Sequence, residues 1–285
     1  GLPALQVDEP TITMTFQVNK SPFAGNEGKY LTSRQIRARL EQELLHNVAL
    51  RVEETDDADK FRVSGRGELH LSVLIENMRR EGYELAVSRP AVIERVVDGV
   101  VQEPWEQLTV DFGEQYQGGV MTRLADRKGE LISMMPDGRG RVRLEYRIPA
   151  RGLIGFRTEY LTTTAGTGLL YHIFDGYGPR AKGEIGQRTN GALVSMAQGK
   201  AVAYTLFDLQ ERGSLFLGHG VEVYEGMIIG IHARDNDLMV NPTKGKQLTN
   251  VRTQGADEKI ILSPPIRFSL EQALEFIDDD ELVEV

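Results

Sequence analysis

The strongest constraint on the fold of this chain is an order of strand-like and helix-like segments that occurs twice. In residues 11–18 the apolar side chains alternate, with Ile12, Met14 and Phe16 on one side, which indicates a half-buried strand. Helical, extended, extended, helical and extended patterns follow up to about residue 90. The order β-α-β-β-α-β is that of the ferredoxin-like split βαβ unit. We therefore predict a ferredoxin-like domain over residues 1–90.

Capping signals mark the two helices of this first copy. Thr32, with Gln35 three residues later, predicts an N-cap and a capping box. Gly82 stands where helices commonly end in a left-handed residue, so it predicts the end of the second helix. Between these signals the apolar residues recur at helical spacing: Ile36, Leu40 and Leu44, then Leu71, Leu74, Ile75 and Met78.

The middle of the chain repeats this order, which predicts a second ferredoxin-like domain over residues 91–180. Arg66-Gly67 of the first copy and Arg151-Gly152 of the second occupy the same place in the order of elements, 85 residues apart. The signals are a strand at 108–112, a helix at 115–126, a hairpin around Pro136-Asp137-Gly138, a helix at 153–164 and a strand at 169–174.

The last part of the chain, residues 181–285, breaks the pattern. Short apolar runs stand between many glycines, at 192–195, 202–207, 227–231 and 260–262, and one helix is expected near 270–276. The predicted fold class is therefore α+β: two consecutive ferredoxin-like βαββαβ domains followed by a mostly-β C-terminal domain with a short late helix.

The net charge of −9 does not exclude a nucleic-acid partner, because the acids are concentrated. Residues 53–59 and 275–284 hold eleven of the 42 acids and no Lys or Arg, so the rest of the chain is slightly positive. The absence of cysteine excludes a disulfide scaffold and cysteine zinc sites. No stretch approaches the ~20 apolar residues of a membrane helix. We expect a cytoplasmic protein without a membrane partner.

No catalytic residues, metal site or cofactor are predicted within this sequence. A phosphate-binding P-loop needs G-x-x-x-x-G-K-[ST], but Gly199-Lys200 and Gly245-Lys246 are followed by Ala201 and Gln247. The five histidines are scattered, without the i, i+4 spacing of a shared metal.

The strongest positive feature is residues 139–157, which hold six arginines and one acid, Glu145. In a strand, alternate arginines lie ~7 Å apart on one sheet face, where their planar guanidinium groups suit phosphate oxygens. A solvated outer sheet face is the alternative, and the sequence leaves both open. The candidate RNA-binding residues are Arg139, Arg141, Arg143, Arg147, Arg151 and Arg157.

A second candidate is the basic segment 241–252. It carries Lys244, Lys246 and Arg252 without an acid, and its proline and glycine exclude a regular helix. Such a loop could bind a nucleic-acid backbone through charge and small polar side chains. An ordinary surface loop is the alternative.

Several runs carry a family resemblance. Residues 64–71, Ser-Gly-Arg-Gly-Glu-Leu-His-Leu, resemble a turn in the third domain of translational GTPases such as elongation factor G. The longer runs resemble the BipA (TypA) family of ribosome-associated GTPases over essentially the whole chain. These runs are residues 51–55, 61–81, 148–156 (including Arg-Gly-Leu-Ile-Gly-Phe), 215–220 and 271–285.

This resemblance implies a domain III, a domain V and a family-specific C-terminal domain. It implies that GTP and Mg²⁺ are held by a GTPase domain upstream, which a β-barrel domain follows. The family binds 70S ribosomes at the factor site and supports large-subunit (50S) assembly in cold and stress. Domain V approaches 23S rRNA, which implies an rRNA role for the six arginines.

The resemblance also implies that the C-terminal domain approaches the acceptor end of the A-site tRNA. The residues matched to its tRNA-facing loop are Asn241, Lys244, Lys246, Asn250 and Arg252. The alternative function is a protein-interaction module that docks on ribosomal proteins rather than on RNA.

Overall fold

The computed structural model describes residues 9–185, 188–244 and 260–285. The chain forms two compact units: Gly1–Gln187 together with Ser269–Val285, and Arg188–Phe268. Helices and several sheets are mixed in it, which confirms the predicted α+β class. The predicted domain limits at residues 90 and 180 stay a prediction.

The first ferredoxin-like domain is an antiparallel sheet with two helices packed on one face. Its elements are β1 Ile12–Gln17, α1 Ser33–Leu44, β2 Arg51–Glu54, β3 Lys60–Gly65, α2 Glu68–Arg80, β4 Ala86–Ser88 and β5 Ala91–Val92. The strand order β4-β1-β3-β2 places the first and third strands at the centre, and β5 pairs with β1.

The predicted helix ends of this domain are confirmed. Thr32 Oγ1 accepts a hydrogen bond from the Gln35 backbone N–H at 3.2 Å, and Gln35 Oε1 accepts one from the Thr32 N–H at 3.1 Å. Gly82 has φ +98°, the left-handed conformation that glycine adopts without strain. Alternation in β1 buries Ile12 and Met14 against the two helices, as the pattern predicts.

The second ferredoxin-like domain has the same topology, with strand order β10-β7-β9-β8 and a short β6 paired with β7. Its elements are β6 Arg95–Val97, β7 Val100–Gly113, α3 Gln117–Asp126, β8 Glu130–Pro136, β9 Arg141–Pro149, α4 Ala150–Leu153, α5 Phe156–Thr163 and β10 Leu169–Pro179. A short 3-10 turn, Glu114–Tyr116, precedes α3.

The helix predicted at residues 153–164 is two helices in the structure. The chain leaves helical geometry at Ile154, which is extended, and Gly155 then has φ +81°. The left-handed region disfavours residues with a Cβ, so this glycine is what allows the chain to turn between α4 and α5.

The second unit contains a four-stranded sheet of order β13-β15-β11-β16 and a separate β12-β14 pair. Its elements are β11 Ala192–Ser195, β12 Gly199–Lys200, α6 Ala203–Leu209, β13 Gly213–Leu215, β14 Glu222–Val223, β15 Ile228–His232 and β16 Leu238–Val240. The apolar runs expected as strands at 202–207 and 260–262 are not strands. The first lies largely in α6, because a short apolar run fits a buried helix as well as a strand.

The last segment returns to the first ferredoxin-like domain. It contains α7 Leu270–Phe276, which confirms the predicted late helix, and β17 Leu282–Glu284. Strand β17 pairs antiparallel with β4 and extends the first sheet by one strand. Leu274 of α7 is fully buried in the core of that domain.

Replacing Leu274 with alanine should therefore destabilise the first domain by about 2–5 kcal/mol, the usual cost of a buried Leu→Ala cavity. Urea unfolding followed by circular dichroism measures this free energy. Leu282→Ala is the matched control, because Leu282 is 43% exposed. Equal costs for the two variants would contradict the placement of α7 in this core.

Candidate nucleic-acid interface

Strand β9 separates a core face from an outer face, as its alternation predicts. Val142, Leu144, Tyr146 and Ile148 are buried against α3 and α5. The intervening side chains are on the opposite face of the sheet: Arg141, Arg143, Glu145 and Arg147. The structure therefore brings three of the six candidate arginines together in one row on the outer face.

One carboxylate is shared by two arginines of this row. Arg141 donates through Nε to Asp111 Oδ1 at 2.8 Å and through Nη2 to the Asp111 backbone carbonyl at 3.1 Å, and Nη2 lies 2.7 Å from Oδ1. Arg143 Nε lies 3.8 Å from Asp111 Oδ2, beyond hydrogen-bond distance, and its side chain is 50% exposed. Since Asp111 balances only one positive charge, Arg143 keeps donors that are open to solvent.

The third arginine of the row is held by an aromatic ring and an acid. The guanidinium carbon of Arg147 lies 4.2 Å from the centroid of the Trp105 ring, a cation–π contact. Its Nε lies 3.3 Å from Asp175 Oδ2. Asp111, Glu145 and Asp175 thus lie among Arg141, Arg143 and Arg147, and the row is close to electrical balance.

Arg139 lies in the turn before β9, where its side chain is exposed and forms no hydrogen bond or ion pair with the described part of the chain. The turn is ordered by Asp137, which accepts backbone hydrogen bonds from Arg139 and Arg141 at 2.7 and 3.0 Å. These bonds lower the pKa of Asp137 below its usual value, so it stays ionised. Arg139 and Arg143 are the most accessible cations of this face.

Arg151 has a structural role in its own domain, and its predicted RNA contact stays a prediction. Its Nε donates to both oxygens of Glu103, at 3.0 and 2.8 Å, and its Nη1 and Nη2 donate to the carbonyls of Gly183 and Ala181. The Arg151 side chain is 10% exposed and that of Glu103 is fully buried. These bonds within the protein occupy the guanidinium.

Arg157 is exposed but does not belong to the row. It lies on α5, in the helical layer on the other side of the sheet, and it lines a cavity next to Glu68 and Glu275. The six candidate arginines therefore divide into four on or beside the outer sheet face, one internal and one on the helical layer.

The outer face also carries an apolar stripe that the sequence reasoning missed. Leu169, Tyr171 and Ile173 of β10 are 65%, 59% and 57% exposed and pair with outer-face residues of β7. The pattern of residues 169–174 predicts a closing strand. Because side chains alternate between the two faces of a strand, the same pattern also indicates that one set of these apolar residues faces away from the core.

The basic segment 241–252 is described only at its start. Asn241 Oδ1 accepts hydrogen bonds from the backbone N–H and the hydroxyl of Thr243, at 3.0 and 2.7 Å. Pro242 is buried, and the Lys244 carbonyl accepts a bond from Thr205 Oγ1. This start is anchored, and the Lys244 side chain is exposed. The predicted residues Lys246, Asn250 and Arg252 lie outside the described residues.

Two further observations concern residues 9–185, 188–244 and 260–285 only. None of the helices there is long and apolar enough to cross a lipid bilayer. No group of three or more histidine or acidic side chains is placed there to hold a metal ion.

Two family models match the chain. Residues 190–285 match the TypA/BipA C-terminal domain, and residues 100–188 match the elongation factor G C-terminus. Over 285 residues the chain is 69% identical to the large ribosomal subunit assembly factor BipA of Salmonella typhimurium and to that of Escherichia coli K12, and 68% identical to that of Haemophilus influenzae. The match covers 100% of this chain and 46–47% of these relatives, so the chain spans about half their length.

Replacing Arg151 should lower the stability of the second domain rather than weaken an RNA contact. Arg151→Ala leaves Glu103 buried and unpaired, which should cost about 3–5 kcal/mol in the free energy of unfolding. Urea unfolding measures this cost, and Arg139→Ala, at an exposed turn position, is the control and should change stability by less than about 0.5 kcal/mol. Equal stability of the two variants would contradict the structural role of Arg151.

Proposed function

Because this chain belongs to the TypA/BipA family, we propose that it is the ribosome-binding C-terminal half of a GTPase that supports assembly of the large ribosomal subunit. The observation that carries the proposal is the 69% identity over all 285 residues to relatives named large ribosomal subunit assembly factor BipA. The match of residues 100–188 to the elongation factor G C-terminus also supports a role on the ribosome.

In this proposal GTP and Mg²⁺ bind a domain outside the present sequence. The sequence lacks the G-x-x-x-x-G-K-[ST] motif that a P-loop needs. In this proposal the chain would position the GTPase domain on the ribosome, and GTP hydrolysis would take place in that other domain. The two ferredoxin-like domains and the C-terminal module would orient the upstream GTPase and β-barrel domains at the factor site of the 70S ribosome. The compartment would be the cytoplasm, where growth conditions such as cold and stress call for assembly of the 50S subunit.

The rRNA contact would be made by the turn and outer face of the second domain. Arg139 and Arg143 have the exposed guanidinium groups, whereas Asp111 occupies much of Arg141 and Asp175 lies beside Arg147. Arginine forks suit phosphate oxygens, so recognition would depend on the RNA backbone and its shape. Because acids balance most of the charge of the row, RNA binding would depend on the few accessible arginines rather than on the total number of arginines.

The acceptor end of the A-site tRNA would be met by segment 241–252. The anchored start at residues 241–244 supports this role, because the Pro242 and Lys244 carbonyls accept hydrogen bonds from the Val202 N–H and from Thr205 Oγ1. Lysine and arginine charges then provide attraction that is independent of sequence. In this arrangement Asn241 acts by ordering the turn at residues 241–243, since its side-chain Oδ1 accepts both hydrogen bonds from Thr243.

A second candidate is a docking surface for a ribosomal protein. One observation favours it: the stripe of Leu169, Tyr171 and Ile173 lies on the same outer face as the nearly balanced arginine row. Apolar residues rimmed by mixed charges are typical of protein interfaces. Such a surface would bind with a weak dependence on salt.

The double variant Arg139→Glu with Arg143→Glu should lower ribosome affinity and flatten its salt dependence. Each phosphate contact that is lost reduces the slope of log affinity against log salt by about one. Ribosome pelleting at several KCl concentrations measures both quantities, with Arg34→Glu plus Arg51→Glu, two exposed arginines of the first domain, as the charge-matched control. Unchanged affinity and slope would contradict the RNA role. The docking surface would be favoured by a variant that has lower affinity but an unchanged salt slope. Its difference from the natural chain should then disappear on ribosomes depleted of one ribosomal protein.

Replacing Lys244 and Lys246 with alanine should weaken association with ribosomes that carry A-site tRNA. The loss of two charges near a phosphate backbone removes attraction without disturbing the anchored residues Asn241 and Pro242. Chemical footprinting of the tRNA acceptor end measures the contact. Lys60→Ala, an exposed lysine of the other unit, serves as control. A full tRNA footprint in the double variant would refute this part of the proposal.

A further inference from the structure

Two carboxyl groups meet at one glycine in the larger unit. The Gly155 backbone N–H donates to Glu68 Oε2 at 3.0 Å. A Cβ placed on Gly155 would lie 3.2 Å from Cγ and 3.3 Å from Cδ of Glu275, so the Glu275 carboxyl group packs directly against this backbone. Glu68 and Glu275 therefore converge on the same turn between α4 and α5.

Three parts of the fold meet at this point. Glu68 begins α2 of the first ferredoxin-like domain, and Gly155 lies in the second. Glu275 is on α7, next to Leu274 in the first core, and its Oε1 accepts a hydrogen bond from Thr158 Oγ1 of α5 at 3.2 Å. The two carboxyl groups thus lie in the joint at which the second domain contacts α2 and α7.

The joint shields these carboxyl groups from water. They line a cavity of about 70 Å³ whose wall includes Leu153, Ile154 and Phe156. Glu68 Oε1 is buried and has no hydrogen-bond partner in the described part of the chain. A buried carboxylate oxygen without a partner is costly, whereas a protonated carboxyl group is far less so.

Burial raises the pKa of Glu68 by more than Arg127 and Arg89 lower it, and it raises the pKa of Glu275 by more than Arg127 lowers it. Arg127 is directed elsewhere: it donates to Glu159 at 2.7 Å and to the carbonyls of Gly152 and Ile154 at 2.9 and 2.8 Å. The other charged or titratable groups around the joint are Arg66 before α2, Arg89 after β4, Glu106 on β7, Arg157 on α5, His172 on β10 and Glu271 on α7.

The balance of these groups favours bound protons. Burial raises the pKa of Glu68 to about 7, against the Gly155 N–H bond, which lowers it. Burial also raises the pKa of Glu275 to about 8, and repulsion from Glu68 adds to the shift. The ordinary value for both groups is 4.5.

We propose that the Glu68–Glu275 joint is a proton-dependent clasp that holds the second ferredoxin-like domain against α2 and α7 and loosens when the protons leave. This device is independent of any RNA contact.

The direction of the pH effect follows from linkage. Between pH ~4.5 and ~8 the folded chain binds more protons at these groups than the unfolded chain does. The stabilisation is therefore complete on the acid side of this window and is lost as the pH rises through 7 to 8. The angle between the two domains becomes sensitive to pH close to neutrality.

The decisive experiment is a titration of the full chain labelled with ¹³C at the glutamate carboxyl carbons. NMR should show two glutamates, assigned by Glu68→Gln and Glu275→Gln, whose resonances titrate above pH 6. If no glutamate resonance of the natural chain titrated above pH 6, the proposal would be overturned, and this result needs no variant.

The loosening itself is measured by hydrogen exchange and thermal unfolding between pH 5.5 and 9. After correction for the intrinsic rate, exchange at the Gly155 amide should accelerate with pH in the natural chain, and the unfolding midpoint should fall by several degrees. In Glu275→Gln both dependences should become much weaker, whereas Asp126→Asn, at an exposed position, should keep them. Identical pH dependence in all three proteins would overturn the clasp.

Discussion

Two helices can cover only one face of a four-stranded sheet, and this limit organises the second ferredoxin-like domain. Helices α3 and α5 cover the face that carries Phe112 and Leu144. Alternate residues of the strands point to the other face, where Arg143 and Tyr171 are exposed, whereas Trp105 and Thr109 are buried among their neighbours. The arginine row of β9 and the apolar stripe of β10 both follow from that single geometric fact, and they lie on either side of β7, which pairs with both strands.

Acidic neighbours decide what each arginine of this domain can do. The guanidinium of Arg151 is buried with Glu103 and holds the chain that leaves the sheet, while the same group in Arg143 stays half-exposed. A count of basic residues along the sequence treats these side chains as equal. In the structure these arginines differ in their partners and in their burial. Only the accessible ones can contact the phosphates of a polyanion and release its counterions.

Local signals in the sequence predicted local structure well. The capping box of Thr32, the left-handed Gly82 and the alternation of β9 all depend on residues within a few positions of one another. What the sequence could not predict depends on distant pairs. Glu103 meets Arg151 across 48 residues, and nothing in the sequence next to Arg151 indicates that partner. The Glu68–Glu275 joint is likewise visible only once α7 is known to lie against α2.

The pairing of β17 with β4 has a consequence for how the chain is made. Until β17 arrives, β4 presents an unpaired edge, and such edges are templates for pairing with other chains. Translation delivers residues 282–284 only after all of Arg188–Phe268 has been synthesised. A nascent chain therefore exposes an aggregation-prone border that its own late segment closes, and the speed of elongation becomes one of the conditions for correct folding.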